Sequence, residues 1–173
     1  MVNEKLPYSN ICMENLPDEI WKEIPSFENY EVSNLGRVKS LSRLVIRKNG
    51  RYYYTKDRIL KQAKSKHTNT FSLYVVLPIA TRVYKNITVA QLVLTTFCGN
   101  KLDNEIIHHV NLCSHDNRLS NLRYTSIREK WKIEFKEGIR DGMNNTKGFR
   151  NHPTFKERQE IFKEKFRKSH SNI

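Results

Sequence analysis

Two short alternations of apolar and polar residues stand near the start of the chain. Glu31-Val32-Ser33 and Arg37-Val38-Lys39-Ser40-Leu41 flank Asn34-Leu35-Gly36, and alternation on both sides of a turn-forming triplet predicts a short β-hairpin. Ser72 to Leu77 and Arg82 to Ile87 are β-rich runs separated by Pro78, which predicts a second antiparallel pair interrupted at the proline. The period then changes. Thr88 reads as an N-cap, and Val89, Leu92, Val93 and Phe97 follow at i, i+3, i+4 and i+8, the buried stripe of a short helix that Gly99 ends. Further on, Ile106-Ile107 reads as a strand running into two histidines. A loop rich in Asn, Asp and Ser leads to a second β-like run, Asn121 to Tyr124, and then to a helix from Ser126 to about Lys136. Near the end, Phe155, Phe162 and Phe166, with Ile161 beside them, form one narrow apolar stripe that predicts a helix in the tail.

Composition sets limits on this outline. A length of 173 residues predicts one domain, or one domain with small appendages, and 38% hydrophobic residues build only a modest core. Cys12, Cys98 and Cys113 have no C-x-x-C spacing, so neither a disulfide framework nor a cysteine-rich zinc module is expected, and a reducing compartment fits. The first ten residues have no apolar signal region, and the longest apolar stretch falls well short of the roughly 18 residues of a spanning helix. The expectation is a soluble intracellular protein, cytoplasmic or nucleoid-associated, with no membrane partner.

Charge adds the first functional hint. Lys and Arg number 31 against 18 Asp and Glu, a net +13, which argues against the metabolism of acidic small molecules. The excess is local. Residues 1–31 hold seven acids and two bases, whereas eleven bases and only Asp57 lie between Arg37 and His67, interleaved with Tyr52, Tyr53 and Tyr54. Like charges repel along such a segment until a polyanion neutralises them, so a nucleic acid is the expected partner and a solvated loop the plainer alternative. Arg37, Lys39, Arg43, Arg47, Lys48 and Arg51 are the candidate phosphate contacts, with Arg118 and Arg123 continuing the strip further along the chain.

The chemistry concentrates in Ile107-His108-His109, Asp116-Asn117-Arg118 and Asn121-Leu122-Arg123-Tyr124. A lone His-His pair is more often polar packing than a site. Here Asn121 stands twelve residues after His109, and strand, polar loop, strand and helix follow in order. Hydrolysis of a phosphodiester needs a base to activate water and a positive centre for the charge on phosphate, and imidazole titrates near neutral pH.

This segment resembles the ββα-metal finger of the HNH endonucleases, especially the phage and intron homing type. The upstream run from Glu19 to Pro25 and from Tyr30 to Leu41 resembles the nuclease-associated modular domain that precedes the finger in that family. The resemblance covers roughly residues 17 to 137. It implies an α+β chain: an extension over 1–16, a β-rich module over 17–97, the finger over 98–137, and a basic tail with a helix over 138–173. It further implies a DNA endonuclease with His109 as general base and His108 as metal ligand, where aspartate is common in the homing type and histidine occurs in the bacterial toxin type. Asn121 would hold the loop that orients His109, and Asn117 would brace the same loop. One Mg²⁺ or Mn²⁺ ion is the implied cofactor and double-stranded DNA the partner, with no small-molecule substrate and a monomer favoured.

One position departs from the pattern. The family's third signature residue, an Asn or His that supplies the second metal ligand, falls nine residues after Asn121, where this chain has Lys130. An ammonium offers no lone pair and repels a divalent cation. Three readings stay open: Glu129 or Glu134 supplies the oxygen, Lys130 replaces the cation electrostatically, or the chain is a DNA-binding protein that keeps the HNH fold without cleaving.

Overall fold

In a computed structural model of the chain, residues 6–67, 70–80 and 83–136 are described. The expected tail helix lies outside them. Strands β1 (Trp21–Glu23), β2 (Tyr30–Ser33) and β3 (Val38–Ser40) form an antiparallel meander. A short strand further along the chain, β6 (Arg58–Ile59), completes the sheet in the order β1-β2-β3-β6. The predicted hairpin is β2–β3, turning through Asn34-Leu35-Gly36, with Val32 paired to Val38 and both fully buried.

Among the described residues, strands β4 (Leu44–Ile46) and β5 (Tyr52–Tyr54) pair only with each other, as a separate ribbon whose turn contains Arg47, Lys48 and Arg51. Strand β6 (Arg58–Ile59) then returns to β3. A third sheet contains β7 (Ala63–His67), β8 (Thr70–Ala80) and β9 (Val83–Thr88), with β8 central. The proline does not interrupt it. Strand β8 runs through Pro78, which pairs with Tyr84 on β9 at a register irregularity. The β7 ladder reaches only Tyr74, so no hydrogen bond is required of Pro78 on that side.

Leu73, Val75 and Leu77 alternate along β8 and are buried. Against them packs helix α1 (Val89–Cys98), burying Val89, Ala90, Leu92, Val93 and Leu94. Phe97 lies at the margin of this cluster. Thr88 has the extended backbone of an N-cap but makes no side-chain capping bond. Gly99, at φ 87°, ends the helix in a conformation that glycine reaches without Cβ strain.

The last described unit is a ββα arrangement: β10 (Glu105–His109), β11 (Leu122–Ser126) and helix α2 (Ile127–Lys136). Asn121 sits in a 3-10 turn just before β11 rather than in the strand. Leu122, opposite His109 in the β10–β11 ladder, belongs to the same apolar cluster as Val32, Leu77 and Val93. The core is therefore continuous across residues 97–98, and the β-rich part and the finger share one interior. Among the sequence-expected core residues Ile24 is buried, whereas Ile20 is 57% exposed. The three cysteines are free. No described helix is long and apolar enough to cross a membrane.

Candidate nuclease site

The alternation of β10 divides its two histidines. His109 shares a face with Ile107, against the core, and His108 shares a face with Ile106. His108 is 3% exposed, and its Nε2 has no hydrogen-bond partner among the described residues. Its pKa is held below the ordinary imidazole range, first by burial and then by the positive charges of Arg123, its cross-strand partner, and Lys130. Glu134 pulls the other way. The imidazole is therefore neutral near pH 7, with a nitrogen lone pair not used by any described residue.

His109 Nε2 lies 3.1 Å from Asn117 Oδ1. With the amide oxygen as acceptor, Nε2 carries the proton and the lone pair resides on Nδ1. Burial lowers its pKa as well, and the Asn117 contact opposes that only in part. A cavity of about 210 Å³ adjoins the ring, lined in part by Ser72, Thr88, Ser114 and Asn117.

A polar loop holds this pair in place. Asn121 Oδ1 accepts from the Asn111 backbone N–H at 2.8 Å and its Nδ2 donates to the Asp116 carbonyl at 2.7 Å, fastening both ends of the loop to one amide. The Val110 N–H donates to the Asn121 carbonyl at 2.8 Å. Asp116 is 2% exposed. It accepts Asn111 Nδ2 at 2.7 Å and a two-pronged grip from Arg118 at 2.8 and 2.7 Å. Burial alone would raise the Asp116 pKa, but the Arg118 bonds and charge and the Asn111 bond together bring it below the usual carboxylate range. His115 is also buried here, with its pKa lowered by burial and then by Lys64 and His109.

On α2 the acids have separate uses. Glu129 accepts Thr125 Oγ1 at 2.9 Å and donates its N–H to Ser126 Oγ at 3.2 Å, which occupies it at the start of the helix. Glu134 is the carboxylate that acts electrostatically on His108, and it pairs with Lys130 at 3.7 Å. The described residues contain no group of three or more His, Cys, Asp and Glu placed to share a metal. The donors this site offers a cation are the neutral His108 Nε2, which has no partner among the described residues, and the Glu134 carboxylate, which Lys130 also holds.

The expected phosphate contacts fall into two groups. Arg37 is fully buried. It bonds Glu19 through Nε at 2.8 Å and through a second, very close guanidinium contact, donates to the Cys12 and Glu14 carbonyls at 2.7 and 2.8 Å, and lies over the Trp21 ring. It is a structural anchor out of reach of phosphate, a correction to its place in the basic strip. Lys39 is largely buried, paired with Glu31 at 3.1 Å and set over Trp21. Arg43 donates to Ser40 Oγ and Tyr30 Oη. Arg47, Lys48, Arg51 and Arg123 are exposed, while Arg118 is committed to Asp116. On the ribbon, Leu44, Ile46, Tyr52 and Tyr54 share one exposed face through the pairs Leu44–Tyr54 and Ile46–Tyr52.

Sequence reasoning did not single out Asn111 or Gly36 as parts of the site. Asn111 carries no motif signal, and Gly36 reads only as a hairpin residue until the fold brings it against the loop, where a Cβ would stand 2.9 Å from the Asn117 carbonyl oxygen.

The NUMOD4 motif matches residues 19–76. An uncharacterised HNH endonuclease of Acanthamoeba polyphaga mimivirus is 35% identical over 115 residues, 64% of this chain but only 25% of that protein's length. Among solved structures, the HNH homing endonuclease I-HmuI, described for its DNA binding and cleavage, matches 70% of this chain and 61% of its own with TM-score 0.50. At 20% identity that likeness establishes a shared fold. In motif, relative and fold the chain is similar to HNH endonucleases, over part of its own length and a quarter of the relative's.

Proposed function

We propose that the chain hydrolyses phosphodiester bonds of double-stranded DNA, with His109 as the general base. The observation that carries this reading is the His109–Asn117 contact at the end of β10. A half-buried, neutral imidazole that donates from Nε2 leaves Nδ1 to take a proton from water. The oxygen of that water then bonds to phosphorus, one P–O ester bond breaks, and the departing oxygen is protonated from solvent. Asn121 and Asp116 keep the loop in shape, and Arg123 supplies positive charge beside His108 for the phosphate. His108 and Glu134 would hold a divalent ion, which when bound neutralises charge on the phosphate. The exposed bases of the β4–β5 ribbon, Arg47, Lys48 and Arg51, would follow the DNA backbone, and Lys39 and Arg43 contribute mainly to the structure around it.

A second reading, a DNA-binding protein of the HNH fold that does not cleave, draws on Lys130, whose charge lowers the pKa of both histidines. Nicking of supercoiled plasmid with and without EDTA decides between the two. Cleavage should require the metal, and His109→Ala should slow it by about 10² to 10⁴ while DNA affinity stays within a few-fold. Unchanged nicking by His109→Ala overturns the assignment of the base, and a wild type that binds DNA but never nicks it establishes the second reading.

A further inference from the structure

The turn of the β2–β3 hairpin lies against the loop that carries Asn117. Asn34 uses its side chain within its own unit, accepting from the Ile20 N–H at 2.8 Å and donating to the Asp18 carbonyl at 3.0 Å. Its backbone carbonyl accepts the Leu119 N–H at 2.7 Å. Two residues on, Gly36 has φ 80°, and a Cβ there would lie 2.9 Å from the Asn117 carbonyl oxygen and 3.0 Å from the Asn117 Cβ. Real side chains do not approach backbone that closely, so only glycine permits the contact. The turn is itself fixed. Gly36 N–H donates to the Ser33 carbonyl at 3.0 Å, and Gln62 Nε2 donates to the Gly36 carbonyl at 2.7 Å.

At the far end of the contact, Asn117 Oδ1 meets His109 Nε2, while Asn117 Nδ2 is buried and finds no partner among the described residues. The amide is therefore not anchored through its nitrogen. Its position follows from the backbone of residues 117–119, which the turn touches at both ends.

We infer that the Asn34–Gly36 turn is a positioning element for His109, acting through Asn117, so that the β-rich module helps to set the geometry of the base as well as any hold on DNA. This rests on the reading of His109 as general base, but the arrangement has a signature of its own. Moving the Asn117 backbone outward lengthens or breaks the Oδ1–Nε2 contact and releases the imidazole to exchange its tautomers. Misplacement of a reacting group by about 1 Å can cost on the order of 10²-fold in rate.

The experiment uses the full-length protein, ¹⁵N-labelled, and reads the His109 tautomer from long-range imidazole spectra alongside single-turnover nicking and DNA affinity. In the wild type His109 should be held with the proton on Nε2. Gly36→Ala should produce a mixture of tautomers and slow cleavage by about tenfold or more, with DNA affinity within about two-fold. Asn117→Ala should do the same, and the double variant should be no worse than Asn117→Ala alone. A folded Gly36→Ala protein with the wild-type tautomer, or losses that add in the double variant, overturns the inference. If Gly36→Ala does not fold, Gln62→Ala decides, because it releases the turn without adding an atom: a partial shift in tautomer supports the coupling, and an unchanged spectrum refutes it. A wild type that does not nick DNA would fail the cleavage reading alone, since the spectra report positioning without turnover.

Discussion

Replacing Arg37 separates two expectations that the sequence treats alike. A base in a strongly cationic segment, removed from a DNA-facing surface, should leave stability within about 0.5 kcal/mol and weaken DNA binding. In the structure the Arg37 and Glu19 side chains are both fully buried, and the guanidinium also serves the Cys12 and Glu14 carbonyls. Arg37→Ala would leave a buried carboxylate without its cation and two carbonyls without their donor. Breaking such a pair from one side costs about 3–5 kcal/mol, a large share of the roughly 5–15 kcal/mol that holds a domain folded. For a chain of this size that lowers Tm by roughly 6–20 °C. Arg37→Lys keeps the charge but cannot reproduce the two-pronged bond, and should fall between wild type and Arg37→Ala. Urea unfolding monitored by circular dichroism measures the loss, and DNA titration at several salt concentrations measures the other expectation. Arg37→Ala should keep the salt slope of wild type at temperatures where it is folded. Stability within 0.5 kcal/mol of wild type together with a flattened slope would refute the structural assignment and return Arg37 to the DNA interface.

Replacing Arg47, Lys48 and Arg51 together with Ala should leave the melting curve unchanged and flatten the dependence of log K on log[salt] by roughly 0.9 for each side chain that contacts phosphate, measured by fluorescence anisotropy. Because imidazole is a poorer donor for Mg²⁺ than for transition metals, Mn²⁺ should support plasmid nicking better than Mg²⁺, and Lys130→Asn should raise the activity at limiting metal by removing a competing ammonium. Activity of the wild type in EDTA that falls in Lys130→Asn would instead make Lys130 the electrophile. Acid should destabilise the fold in two stages. His108, His109 and His115 have folded pKa values below their unfolded ones, so the unfolded chain binds protons first and stability falls as pH drops below about 6.5. Asp116 and Glu19, whose folded pKa values are depressed, contribute stability above the ordinary carboxylate range that is lost as pH falls through their folded values. Melting temperature measured from pH 8 to 3 reads both stages, and a flat profile between pH 7 and 5 would contradict the histidine assignment.

What the sequence determined by itself is what depends on near neighbours. Alternation around Asn34-Leu35-Gly36, the helical stripe that buries Val89, Leu92 and Val93, and the order strand, loop, strand, helix around His109 all follow from local periodicity. Two predictions made from single residues gave way to context. Pro78 is tolerated inside β8 because its neighbour β7 has already ended, and Asn121 leaves the strand because both faces of its amide are occupied by the loop. Charge reads correctly as a total but only in part as a surface, because sequence counts a guanidinium the same way in water as under Trp21. Only the folding of distant segments onto each other buries Arg37 against Glu19, leaves Arg47, Lys48 and Arg51 outside, and selects Glu134 rather than Glu129 as the acid that acts on His108. The contact between Gly36 and Asn117 is of the same kind. It joins residues 81 positions apart, and no periodicity encodes it, since it exists only where two backbones approach closer than a side chain would allow.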